Sequence, residues 1–181
     1  MKTKKKIVFL DGDGTLWYPK STTNTIKPHW IYADKNPDLL NTGYVDLLTL
    51  TPGVVETLTE LKRLGIYVIV VSTNPRPIQE ATKDIENRII HFGLTKLIDE
   101  FYPAPDEHNG KGRVIQTLLN EKGISKDAAL MVGDSYKYDY LPVRAIDVDT
   151  LFIKTPYNKG DVEKYGITPT ISTIREILNF I

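Results

Sequence analysis

The chain contains no cysteine. That absence rules out a disulfide framework, a thiolate zinc site and a cysteine nucleophile, and it fits a reducing, cytoplasmic setting. Neither sign of charge prevails: Lys+Arg 23 and Asp+Glu 23 leave a formal net charge of +0, so nothing global argues for nucleic acid or an anionic membrane as partner. Long hydrophobic runs are missing too. The apolar run behind the lysines of residues 2–6 is cut off by Asp11, too short for a signal segment or a membrane span. Histidine is scarce, and neither His29 nor His108 has a partner at metal-ligand spacing. No repeat, low-complexity tract or shift in composition divides the chain, and 181 residues suit one domain over 1–181.

The stretch KKIVFLDGDGTLW, residues 5–17, organises what is there. Ile7 to Leu10 read as a core strand that stops abruptly at Asp11 and Asp13. The apolar residues need burial, while the carboxylates need water, a metal or a cation, so a polar site is expected at the carboxyl end of a buried strand. Open α/β sheets bind their ligands there. Gly12 and Gly14 let the backbone turn and approach a small ion closely.

Residues 16–51 follow, rich in proline and aromatics (Trp17, Tyr18, Trp30, Tyr32, Tyr44) and poor in periodicity. Such a length is too great for a plain connection, and the aromatics argue against disorder, so a flap over the site is expected. Its aromatics are expected mainly to pack against the body of the protein. Thr51 and Pro52 predict a helix start, with Thr51 as cap and Gly65 as stop. Ile66 to Ser72 read as a second buried strand ending in Thr73 and Asn74. Helical spacing then marks residues 78–92, a short strand surrounds Phe101 and Tyr102, and Lys111 opens a helix that stops at Gly123. AALMVGD is a strand ending in Asp134, with Asp139 beyond it. A short helix at 141–145, a strand at 150–153 and a final pair with capping-box spacing, Thr173 and Glu176, complete the chain. Strands alternating with amphipathic helices predict a mainly parallel central sheet covered on both faces, a Rossmann-like three-layer sandwich of the α/β class.

Three strands thus end in polar groups at one sheet edge: Asp11 and Asp13, then Ser72, Thr73 and Asn74, then Asp134 with Asp139. Lys111 should open at the same edge. Several carboxylates near one point need a counter-charge, and Mg²⁺, which takes one or two carboxylates and leaves room for substrate phosphate, is the economical choice. A hydroxyl, an amide and an ammonium are suited to the remaining phosphate oxygens. One carboxylate is then left as nucleophile and one as acid and base.

In these motifs, DGDGT at 11–15, VVSTN at 70–74, Lys111 and VGDSYKYD at 132–139, the chain resembles the haloacid dehalogenase superfamily of aspartate-dependent phosphohydrolases. The resemblance covers residues 7 to about 153 and extends to its small magnesium-dependent phosphatases, whose first motif also runs into Thr-Leu-Trp. It implies Asp11 as nucleophile and metal ligand, and Asp13 as acid and base with its carbonyl on Mg²⁺. It further implies Thr73 and the Asn74 amide on the phosphoryl group (Ser72 if the strand ends earlier), Lys111 neutralising charge, and Asp134 and Asp139 at the metal. The expected activity is hydrolysis of a phosphate monoester through an aspartyl-phosphate; phosphotransfer and a non-catalytic phosphate- or metal-binding module are the alternatives. Members often carry a cap domain. Here residues 75–110 leave no room for one and the first interval offers only the flap, which predicts an open site for a bulky phosphorylated substrate, or one closed by a second copy in a homo-oligomer. Arg76 is expected at the surface.

Overall fold

The computed structural model describes residues 3–22 and 44–181. Strand β1, Ile7–Leu10, is fully buried. It pairs in parallel with β4 (Tyr67–Thr73) on one edge and β6 (Ala129–Gly133) on the other. Beyond β4 lies β5 (Glu100–Ala104); beyond β6 lie β7 (Asp149–Ile153) and β8 (Thr170–Ile171), so the order is β5-β4-β1-β6-β7-β8 with every pairing parallel. The chain steps outward from β1 to β5, then returns and steps outward the other way from β6. That reversal makes the carboxyl ends of β1 and β6 the topological switch point, where open α/β sheets place their ligands.

Alternation along the strands separates two cores. On one face Val8, Leu10, Val68 and Val70 meet Leu58 and Leu61 of α1 (Val54–Arg63) and Ile85 and Ile89 of α2 (Ile78–His91). On the other, Ile7, Phe9, Ile69 and Val71 meet Ile115, Leu118 and Leu119 of α3 (Gly110–Lys122) and Val143 of α4 (Leu141–Arg144). The result is the expected three-layer, Rossmann-like α/β sandwich. Among the described residues no helix is long and apolar enough to cross a membrane.

Four local expectations shift. Thr51 does not cap α1: Gly53, at φ 89, turns the chain into a helix that begins at Val54, and the Thr51 hydroxyl makes no cap bond. β4 runs one residue later than predicted, through Thr73. A further helix, α5 (Lys159–Tyr165), was not expected; it buries none of its residues, so there was no apolar stripe to read. The capping box of Thr173 and Glu176 does form, but the turn it opens, Ile174–Phe180, is 3₁₀.

The ends of the flap are held in the core. β2 (Trp17–Pro19) pairs antiparallel with β3 (Leu48–Leu50), and Leu16, Trp17 and Leu48 join the α1 and α2 face. Trp17 stacks on Phe92 with centroids 6.1 Å apart and planes at 16°, so for this residue packing is the outcome. His29, Trp30 and Tyr32 lie outside the described residues. The stretch between the two flap strands is too short for a full cap domain.

Phe9 reaches from the central strand into the core beneath α3. Phe9→Ala is expected to cost about 3–5 kcal/mol, whereas Ile78→Ala, at a position 71% exposed, should stay within about 0.5 kcal/mol; urea unfolding midpoints check both.

Candidate active site

Alternation continues past the end of β1. Asp11 falls on the face of Ile7 and Phe9, the side covered by α3. The first turn of α3 comes unusually close to its surroundings. A Cβ on Gly112 would stand 2.5 Å from the Pro142 carbonyl oxygen, and one on Gly110 would overlap that of Pro105. Two glycines flanking Lys111 therefore let the helix start press inward, and Lys111 is buried with 2% exposure. Its Nζ donates to Asp11 Oδ1 at 2.6 Å and to Asp139 Oδ1.

Asp139 is delivered by a π-helical turn, Tyr136–Tyr140, that directly follows β6. The widened turn folds its carboxylate back, where Oδ2 accepts the Ser135 N–H at 2.8 Å. Both oxygens of Asp139 are thus engaged, one of them by Lys111. Asp134, at the end of β6, is buried as well. Its Oδ2 accepts the Tyr157 hydroxyl at 2.6 Å, and its carbonyl accepts Asn158 Nδ2 at 2.9 Å. Asn158 also ties down the Ile153 carbonyl and the Thr155 N–H, which clamps the segment after β7 over Asp134. Gly14 makes this possible. At φ +89 it has space only for hydrogen, since a Cβ would lie 2.5 Å from the Tyr157 oxygen and 2.6 Å from Asp134 Oδ2.

Burial pushes the Asp11 carboxyl well above its usual range, Asp139 and Asp134 push it further, and Lys111 opposes them. For Lys111, burial works against the charge, but attraction to Asp11 and Asp139 prevails and raises its pKa. Tyr157 is raised as well, by burial and then by Asp134, so it stays a neutral donor. Asp11, Asp134 and Asp139 each present an oxygen within 4.8 Å of the others. Three buried carboxylates facing one lysine are an all-oxygen, net-negative donor set that fits a hard divalent cation such as Mg²⁺. Asp11 and Asp134 would hold it directly, with Asp139 orienting Lys111.

Of the predicted residues, Asp11, Lys111, Asp134 and Asp139 come together. The Asp13 carboxylate does not join them; its Oδ2 accepts Arg88 Nη1 at 3.0 Å. Between the two hydroxyl candidates, alternation puts Thr73 on the face of Asp11, and its Oγ1 is buried with no hydrogen-bond partner. Ser72 Oγ lies on the opposite face, 3.1 Å from where a Gly12 Cβ would stand. Asn74 is occupied elsewhere. Its N–H donates to the Ala104 carbonyl at 3.0 Å and its side-chain oxygen accepts the Arg76 N–H. Arg76 pairs with Asp84 at 3.0 Å. Arg88, Tyr157 and Asn158 were not expected. Arg88 sits inside an apolar helical stripe and the other two in a loop without periodicity, so only the three-dimensional fold reveals them.

Fold and site together define an α/β enzyme scaffold with a carboxylate and lysine centre at its topological switch point. The sequence model of the haloacid dehalogenase-like hydrolases matches residues 9–153, and the chain belongs to that family. No curated protein matches the sequence. Among solved structures it is similar to a predicted phosphoglycolate phosphatase from Haemophilus somnus, with TM-score 0.72, 18% identity and 98% of each chain covered. A predicted phosphatase from Clostridium acetobutylicum gives TM-score 0.71 at 15% identity, again over 98% of each chain. A haloacid dehalogenase-like hydrolase from Streptococcus pneumoniae gives TM-score 0.70 at 16% identity, over 97% of this chain and 98% of that one. At these identities the likeness is one of fold.

Replacing Lys111 would leave Asp11 and Asp139 facing each other in a buried site. Lys111→Met is expected to lower stability by about 3–5 kcal/mol in the presence of a chelator, and added Mg²⁺ should return part of the loss; unfolding curves with and without the ion check this.

Proposed function

We propose that the protein is a Mg²⁺-dependent phosphatase that hydrolyses phosphate monoesters through a phosphorylated Asp11. The observation that carries the reading is the Lys111 ammonium buried between Asp11 and Asp139, with Asp134 beside them. Lys111 takes Asp11 Oδ1, which leaves Oδ2 to attack phosphorus in line. The same ammonium offsets charge on the phosphoryl oxygens, and the unpartnered Thr73 hydroxyl is suited to donate to one of them. Asp13 protonates the leaving oxygen, then takes a proton from the water that releases phosphate from Asp11. Mg²⁺ bound at Asp11 and Asp134, with the Asp13 carbonyl as a further ligand, would supply positive charge to the phosphoryl oxygens. Asp139 fixes Lys111, and Tyr157 and Asn158 fix Asp134.

The absence of cysteine supports a cytoplasmic location. The small flap in place of a cap supports a bulky phosphorylated substrate, or closure of the site by a second copy of the chain.

Wild type is expected to release phosphate from p-nitrophenyl phosphate with Mg²⁺ and to stop when the metal is chelated. Asp11→Asn should lower turnover by about 10³-fold or more. Mass spectrometry after acid quench should find phosphate on the Asp11 peptide. Turnover in Asp11→Asn at the wild-type rate would refute the nucleophile, and binding without turnover would favour a non-catalytic module. Phosphoryl transfer to an added alcohol that outpaces hydrolysis would favour a phosphotransferase.

A further inference from the structure

Every carboxylate of the cluster has at least one oxygen already engaged. Lys111 Nζ donates to Asp11 Oδ1 at 2.6 Å and to Asp139 Oδ1, and the Ser135 N–H donates to Asp139 Oδ2 at 2.8 Å. Asp134 is held differently: its Oδ2 accepts the Tyr157 hydroxyl at 2.6 Å. That hydroxyl is fixed in place. Asn158 Nδ2 donates to the Asp134 and Ile153 carbonyls, each at 2.9 Å, and its Oδ1 accepts the Thr155 N–H at 2.8 Å, which ties down the turn that carries Tyr157. Gly14 closes in from the facing side, where a Cβ would lie 2.5 Å from the Tyr157 oxygen and 2.6 Å from Asp134 Oδ2. Beyond the turn runs α5, which buries none of its residues. Its last residue, Tyr165, stacks on Tyr136 with centroids 3.9 Å apart and planes at 2°. Tyr136 opens the π-helical turn that delivers Asp139. The segment bearing Tyr157 is thus anchored to the loop of Asp134 and Asp139 both at the turn and at the far end of α5.

We propose that Tyr157 is a positioning residue that confines Asp134 to one-oxygen ligation and so makes the site select Mg²⁺ over Ca²⁺. The two ions ask for different shells. Mg²⁺ demands near-ideal octahedral geometry at about 2.0–2.1 Å and fills much of its shell with water and phosphate. Ca²⁺ takes about six to eight oxygens at about 2.3–2.6 Å and readily draws both oxygens from one carboxylate. A two-oxygen grip on Asp134 would bring the cation up against the hydrogen that Tyr157 donates to Oδ2, in a niche where Gly14 leaves the hydroxyl no room to step back. Asp11 and Asp139 do not make up the shortfall, because Lys111 holds Oδ1 of each and the Ser135 N–H holds Oδ2 of Asp139. Single oxygens from separate carboxylates suit the smaller ion. This inference rests on the metal assignment within the phosphatase reading, and it concerns binding rather than turnover.

Calorimetric titration of Mg²⁺ and, separately, of Ca²⁺ into protein stripped of metal by a chelator gives the ratio of the two affinities for wild type, Tyr157→Phe and Tyr165→Ala. Wild type should prefer Mg²⁺. Tyr157→Phe keeps the ring and removes the hydroxyl from Asp134 Oδ2, and it should lower the preference for Mg²⁺ over Ca²⁺ about tenfold or more, the scale on which groups behind a metal ligand act. Tyr165 is 42% exposed, so Tyr165→Ala loosens α5 without opening the core and should shift the ratio the same way by less. If Tyr157→Phe does not fold, Tyr165→Ala decides: a lowered ratio supports the assignment and an unchanged one overturns it. A purely structural role for the hydroxyl would weaken both ions alike. An unchanged ratio in Tyr157→Phe therefore overturns the proposal, as does wild type that binds Ca²⁺ as tightly as Mg²⁺, and either result leaves the phosphatase reading standing. Wild type that binds neither ion would overturn the metal site of that reading and the role of Tyr157 with it.

Discussion

The site depends on one buried ammonium. Asp11, Asp134 and Asp139 converge within 4.8 Å, and three carboxylates so placed repel one another strongly in a medium that screens poorly. Lys111 is the cation that makes the assembly tolerable, touching two of them at once. The rest of the architecture can be read as the means of getting it there. Parallel strands bring Asp11 and Asp134 to adjacent strand ends, glycines on both sides of Lys111 let α3 enter, and the π-helical turn folds Asp139 back to meet it. Among the described residues one ammonium faces three carboxylates, a set of oxygens that could hold a divalent cation.

Much of this was legible before any coordinates. Unalternating apolar runs ending in Asp11, Thr73 and Asp134 encode both the parallel sheet and the edge at which their polar ends gather, because burial and solvation cannot be met together anywhere else. The lysine was legible as the opening of a helix with the right order in the chain. What escaped has a common physical cause. Tyr157 and Asn158 act from a loop, where no periodicity marks function, and α5 packs nothing into the core. Arg88 lies in a helix whose stripe reads as apolar, and a buried arginine is visible only through the partner that permits its burial. The misplaced cap at Thr51 has a local cause: Gly53, at φ 89, makes the turn into the helix, so Thr51 stands two residues too early to cap it.

The choice between Ser72 and Thr73 shows how strand periodicity resolves what composition leaves open. Both are hydroxyls at the end of β4, and either would suit a phosphate. A one-residue difference in where the strand ends exchanges the face that each side chain occupies. With β4 continuing through Thr73, Ser72 is turned toward Gly12 and Trp17, and Thr73 shares the face of Asp11 and Lys111 with its hydroxyl uncommitted.

The two aspartates of the first motif, two residues apart, would share one face if the strand ran on; β1 ends at Leu10 and the chain turns at Gly12, so they part. Asp11 is tied to Lys111 through α3, and Asp13 to Arg88 through α2, so each carboxylate answers to a different helix and a different half of the core. Gly12 between them lets the backbone carry out the separation, with Trp17 packed where a side chain would stand. Each carboxylate thus has its own cation, Lys111 for Asp11 and Arg88 for Asp13. The spacing of two residues would pair the carboxylates on one face of a continuous strand; because the strand stops at Leu10, they meet Lys111 and Arg88 from different helices instead.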